Sequence, residues 1–104
     1  MDFLRKLFGG EPRDDSGLYF YIRSKRSGEI VRVRLDLNQF TPLYEGDKLT
    51  GYFVRKTVVG QRSFERMEAE FNFDANKRLI DKTVTGGEFV EREDWVAQQQ
   101  NGTP

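Results

Sequence analysis

Cysteine and histidine are both absent from the 104 residues, and each absence closes off a class of chemistry. Without cysteine there is no disulfide framework to compensate for small size. Without either residue, a tetrahedral zinc site lacks its ordinary ligands. Cys–His and Ser–His nucleophilic pairs are excluded, together with the commonest general base near neutral pH. Only carboxylate, lysine, tyrosine or arginine chemistry stays open, and no metal or cofactor is expected. Long apolar runs are also missing: none approaches the roughly 20 residues that span a bilayer. The opening stretch Met1–Gly10 carries Asp2, Arg5 and Lys6 among its apolar residues, which does not make a signal-peptide core, so a cytoplasmic location is expected.

What is present suits one folded domain of ordinary size. Charged residues make up 33% of the chain, a level that leans toward disorder. Nine Phe, four Tyr and one Trp counter it, because each aromatic side chain buries about 150–250 Å². Formal net charge is zero but unevenly spread: +3 over residues 1–34, +1 over 35–62 and −4 over 63–104. Strands from the two ends would largely neutralise one another, so the asymmetry says little about a partner.

Met1–Phe8 places Phe3, Leu4, Leu7 and Phe8 on one side of a short amphipathic segment (residues 1–10) that ends at Gly9-Gly10. Residues 11–17 read as a polar linker, 18–97 as the β domain and 98–104 as a flexible tail. From Leu18 the hydrophobic period becomes two. Leu18, Phe20 and Ile22 alternate with Tyr19, Tyr21 and Arg23; Val31, Val33, Leu35 and Leu37 alternate with Arg32, Arg34 and Asp36. Closing a hairpin over Lys25–Gly28 pairs Phe20 with Val33, Ile22 with Val31 and Leu18 with Leu35. The same register sets Tyr21 beside Arg32 and Tyr19 beside Arg34 on the other face. A one-residue slip would destroy both patterns, so the register is specified twice.

Further strands are expected over Leu49–Val59, Ser63–Phe73, Arg78–Thr85 and Glu88–Val90. Phe40–Leu43 leads into a turn cluster at Glu45–Lys48, and Gly60-Gln61 makes a tight turn. The two faces of Leu49–Val59 are too alike to say which is buried. Trp95 is the one strong anchor beyond residue 90. The fold class expected is mainly β: a small antiparallel meander of five to six strands, forming a sandwich or half-closed barrel.

The candidate binding face is the aromatic and basic side of the first hairpin: Tyr19, Tyr21, Arg23, Arg32 and Arg34. Rings beside guanidinium groups are what single-stranded nucleic acid binders use. The same pattern also describes a solvated sheet face held by cation–π pairs, and a neutral chain favours that plainer view. The turn Ser24-Lys25-Arg26-Ser27-Gly28 has the outline of a C-x-x-C-G knuckle with serine at both cysteine positions. With its flanks Leu18–Arg23 and Glu29–Arg34, with Gly51–Lys56, with Arg62–Phe64 and with Gly86–Phe89, it resembles a group of small uncharacterised bacterial β proteins. Some of those carry the cysteine pair. The resemblance implies a β fold and names no activity; serine does not replace thiolate as a structural zinc ligand.

The acidic series Glu65, Glu68, Glu70, Asp74 and Asp81 could supply a carboxylate pair, but acidic residues at every second strand position are normally the wet face of a sheet. Three functions are carried forward: a non-catalytic protein-binding or interaction module first, single-stranded nucleic acid binding through the Tyr/Arg face second, and a carboxylate enzyme third. A homodimer is open on edge-strand grounds.

Overall fold

Alternation fixes the first hairpin, and in a computed structural model of the chain, in which residues 17–100 are described, its register is the one the sequence specifies. Strand β1 (Gly17–Ser24) pairs antiparallel with β2 (Ile30–Asp36), with Leu18 opposite Leu35, Phe20 opposite Val33, Ile22 opposite Val31, Tyr19 opposite Arg34 and Tyr21 opposite Arg32. A single 3-10 turn, Leu37–Gln39, then carries the chain to a second sheet. There β3 (Thr41–Glu45), β4 (Lys48–Val59), β5 (Arg66–Phe73) and β6 (Leu79–Thr85) follow one another as an antiparallel meander. The chain returns as β7 (Gly87–Val90), which adds to the free side of β1, and ends in helix α1 (Arg92–Gln100).

The result is two antiparallel sheets, ordered β2-β1-β7 and β3-β4-β5-β6, with their inner faces packed on one another. They stay separate and do not close into a barrel. From one sheet come Ile22, Val33 and Leu35; from the other Val58, Met67, Ala69, Phe71 and Phe73, all nearly inaccessible. Phe20 meets Phe71 across the gap at 4.7 Å between ring centroids, and Phe40 meets Phe73 at 4.4 Å. Offset or tilted rings at these separations add to plain area burial.

The buried face of β4 is settled by its neighbour. Met67, Ala69, Phe71 and Phe73 alternate cleanly, and the register sets Val58 opposite Met67, Val54 opposite Phe71 and Tyr52 opposite Phe73. Tyr52, Val54 and Val58 therefore point inward, and Arg55 and Thr57 outward.

Two elements differ from the sequence expectation. There are seven strands instead of five to six, because Thr41–Glu45 forms an edge strand. All five of its residues are exposed and one is Pro42, so it lacks the half-buried pattern by which strands are recognised. Residues Arg92–Gln100 are helical, so Gln98–Gln100 belong to α1 and not to a tail. Asp94 accepts from the Glu91 N–H (3.2 Å), and Glu93 and Asp94 put negative charge in the first turn, where it is stabilising. The amphipathic segment 1–10 and nearly all of the linker 11–17 lie outside the described residues.

Candidate functional site

The Tyr/Arg face of the first hairpin is a packing surface for α1. Tyr21 is only 5% exposed, with the Trp95 ring 5.6 Å from its own. The Arg32 guanidinium lies between two rings, 5.0 Å from Tyr19 and 4.9 Å from Trp95. Arg23 bonds Glu88 on β7 (3.1 Å). Arg34 sits opposite Tyr19 on the same exposed side of β2. The five residues share one face, on which Tyr21 is buried under Trp95, Tyr19 and Arg23 are half-buried, and Arg32 and Arg34 are exposed. Gln98 completes the docking: its amide accepts from Ile30 N–H (2.8 Å) and donates to the Gly28 carbonyl (3.0 Å). One side chain thereby occupies backbone groups at the start of edge strand β2, a common way of blunting an edge.

At one end of the sandwich two hairpin loops meet, and they are built alike. Loop 1 is Ser24-Lys25-Arg26-Ser27-Gly28-Glu29; loop 2 is Gly60-Gln61-Arg62-Ser63-Phe64-Glu65. Loop 1 closes through Ser24 N–H to the Glu29 carbonyl (2.8 Å) and Gly28 N–H to the Ser24 carbonyl (2.9 Å). Loop 2 repeats both bonds, Gly60 N–H to Glu65 (2.9 Å) and Phe64 N–H to Gly60 (3.1 Å). In each, the serine hydroxyl accepts from the glutamate N–H two residues on, Ser27 from Glu29 and Ser63 from Glu65, both at 3.2 Å. The turn after β4 is therefore a four-residue loop, not the tight Gly60-Gln61 turn that the sequence suggests, and β5 begins at Arg66 instead of Ser63.

The loops grip one another through their glutamates. The Glu29 carboxylate accepts from the N–H groups of Gln61 (2.9 Å), Arg62 (3.3 Å) and Ser63 (3.1 Å) and from the Ser63 hydroxyl (3.0 Å). Successive backbone N–H groups facing one anion form a nest. Partial burial works against the charged form, but the bonds from Ser63, Arg62 and Gln61 outweigh it and hold this carboxyl below its ordinary range. Gly60 leaves room for the same contact, since a Cβ there would lie 2.5 Å from Glu29 Oε1 and 2.6 Å from Ser63 Oγ and would have to push those side-chain oxygens aside. Going the other way, Glu65 reaches the Arg26 guanidinium, at 3.4 Å. The N–H groups of Arg26 and Ser27 are instead taken by the buried Ser24 hydroxyl, at 3.2 Å each. Ser24 and Ser27 thus use their oxygens on local backbone, as hydroxyls in hairpin loops commonly do.

The loops diverge at their fourth turn residue. Gly28 has φ +80° and Phe64 has φ +59°, the left-handed region that suits glycine and strains most other residues. Lys77, in the β5–β6 turn, also has positive φ, but its ammonium bonds the Leu37 carbonyl (2.9 Å) and lies over the Tyr52 ring (5.1 Å). Among the described residues Phe64 has no such compensation, and it stands 76% exposed at the end of the sandwich. Its chain neighbours in loop 2 and β5 include Arg62 and Arg66, and Val59 (47% exposed) pairs with Arg66 across the β4–β5 ladder.

Between loop 2, β2 and α1 lies a cleft of about 270 Å³, lined among others by Arg62, Gln61, Trp95, Gln99 and Arg32.

The acidic series disperses into separate local roles. Glu70 pairs with Arg55 and Glu68 accepts from Thr57 (3.1 Å), both on the outer face of the four-stranded sheet. Asp74 caps its own turn through the N–H groups of Arg78 (2.9 Å) and Asn76 (2.8 Å), and those bonds lower its pKa. Asp81 is exposed on β6 opposite Asn72. Among the described residues no group of three or more acidic side chains converges as a metal site would need.

Sequence reasoning passed over Glu29, Arg62, Phe64 and Gln98. A signal existed for three of them: the order Arg-Ser-x-Glu occurs at both 26–29 and 62–65. Compared with known proteins, the chain matches no protein family, no curated protein and no solved structure.

Proposed function

We propose that this protein is a non-catalytic protein-interaction module whose contact surface is the end of the sandwich where the two loops meet, with Phe64 as its anchor. The observation that carries the reading is the Gly28/Phe64 contrast. The same turn is built twice, and at the one position where glycine is the unstrained choice, loop 2 holds an exposed phenylalanine. Backbone strain kept without an internal contact is a feature that clusters at functional positions. Large aromatic and arginine side chains at a surface are also the residue types on which binding energy concentrates.

Single-stranded nucleic acid binding through the Tyr/Arg face would need rings open for stacking, whereas Tyr21 is covered by Trp95. Among the described residues no helix is long and apolar enough to cross a membrane.

Site-specific photo-crosslinking tests the proposal. A benzoylphenylalanine placed at Phe64 should give a discrete protein adduct in cells of the source organism. The same group at Ile80, which is comparably exposed (66%) on β6, should not. Equal labelling at both positions, or none at Phe64, contradicts the reading. An adduct removed by nuclease would favour nucleic acid instead.

A further inference from the structure

Loop 2 holds a carboxylate that is not its own. Glu29 reaches it from loop 1, 32 residues back along the chain from Gln61. Both carboxylate oxygens are engaged, and by different donors. The Gln61 N–H donates to Oε2 (2.9 Å), the Ser63 N–H and hydroxyl donate to Oε1 (3.1 and 3.0 Å), and the Arg62 N–H lies 3.3 Å from each. Four donors spread over two oxygens match the bite of one planar carboxylate. None of the four belongs to a charged side chain, so the turn itself aims them. That turn is closed by the Gly60 N–H to the Glu65 carbonyl and the Phe64 N–H to the Gly60 carbonyl. Neither bond involves the Glu29 side chain, and the donors keep their aim without it.

We infer that loop 2 is a carboxylate-binding site whose resident ligand is Glu29, a tethered carboxylate that closes the site to others and whose withdrawal opens it. Loop 1 is the contrasting case, because there the Ser24 hydroxyl takes the N–H groups of Arg26 and Ser27 from within. Gly60 has no such group to offer, and the carboxylate of Glu29 enters the space it leaves. A tether gives its end group an effective concentration on the order of millimolar or more. Outside carboxylates therefore compete only when Glu29 is removed or lifted out. Glu29, Gln61 and Arg62 all line the cleft of about 270 Å³, which has room for a small carboxylate beside them. A tetrahedral oxyanion fits less well, since it carries further oxygens that this donor set does not meet. Phe64 plays no part in this site, so its outcome leaves the protein-interaction reading where it stands.

Chemical rescue tests this on the full chain. Glu29→Ala would be unfolded in urea with rising sodium acetate, the ionic strength held constant with sodium chloride, beside the wild type and Glu65→Ala. Acetate should raise the unfolding midpoint of Glu29→Ala saturably, as a ligand of the folded state does. It should leave the other two midpoints where chloride leaves them. Acetamide, of the same shape without the charge, should do nothing. The amide NMR resonances of Gln61, Arg62 and Ser63 should move along the same titration. They should also move in Glu29→Gln, which keeps the side-chain volume and serves if the alanine variant does not fold. The inference is overturned if acetate raises all three midpoints alike or if those amides stay still in both Glu29 variants. It is equally overturned if acetamide or inorganic phosphate stabilises Glu29→Ala as strongly as acetate.

Discussion

Loops 1 and 2 share length, closing hydrogen bonds and the order Arg-Ser-x-Glu, yet they solve their anion problem differently. In loop 1 a buried serine, Ser24, fills the N–H nest from within. In loop 2 the matching residue is Gly60, the nest stands open, and Glu29 from loop 1 enters it. One substitution in a repeated turn thus converts a self-contained loop into a receptor for its neighbour. The second difference, Gly28 against Phe64, converts an inert turn into an exposed aromatic. Both departures fall in loop 2, which gains a tie to the rest of the molecule and a group directed away from it.

The largest break in that comparison comes from Glu29. Glu29→Ala leaves three N–H groups and a hydroxyl without their anion, and should lower stability by about 1.5–3 kcal/mol, the usual worth of hydrogen bonds to a charged group. The same change at Glu65, which is half-buried and pairs with the exposed Arg26, should cost about 0–1 kcal/mol. Urea unfolding of the two variants measures the asymmetry directly. Next is Gly60→Ala, whose new Cβ displaces Glu29; a loss of about 1–3 kcal/mol is expected for such overpacking. Gly28→Ala meets no atom within 4 Å but keeps positive φ, so the loss should be about 1–2 kcal/mol of backbone strain alone.

The smallest effect is one of pH. Glu29 has a folded pKa below its ordinary 4.5, so its stabilisation is complete above that value and is lost as pH falls through the folded pKa. The gap in unfolding midpoint between wild type and Glu29→Gln should therefore narrow on acidification below pH 4.5. Asp74 is lowered too, which is why the difference between the two proteins is the quantity to follow.

The first hairpin could be read from sequence because each of its faces is patterned independently, and the two patterns admit one register. Strand β3 could not, because Pro42 and wholly exposed neighbours erase the alternation. Helix α1 was hidden for a related reason: it buries no residue completely and docks by one ring and one amide, Trp95 and Gln98, which is too few to make a helical stripe. Those two contacts change the meaning of the Tyr/Arg face. Its composition was plain in the sequence, while its covering depended on a segment more than sixty residues away. Phe64 read as an early position of a strand spanning Ser63–Phe73. Only the backbone turn shows that it lies outside β5, held at φ +59°.

The central claim is that Phe64 is kept for what it meets outside the molecule, and equilibrium urea unfolding of Phe64→Gly tests it most directly. If the side chain does nothing for the fold, glycine relieves the left-handed strain and the protein becomes more stable, by up to about 1 kcal/mol after the entropic cost of glycine in the unfolded chain. A loss of stability of that size or more would instead make Phe64 a structural residue and contradict the account.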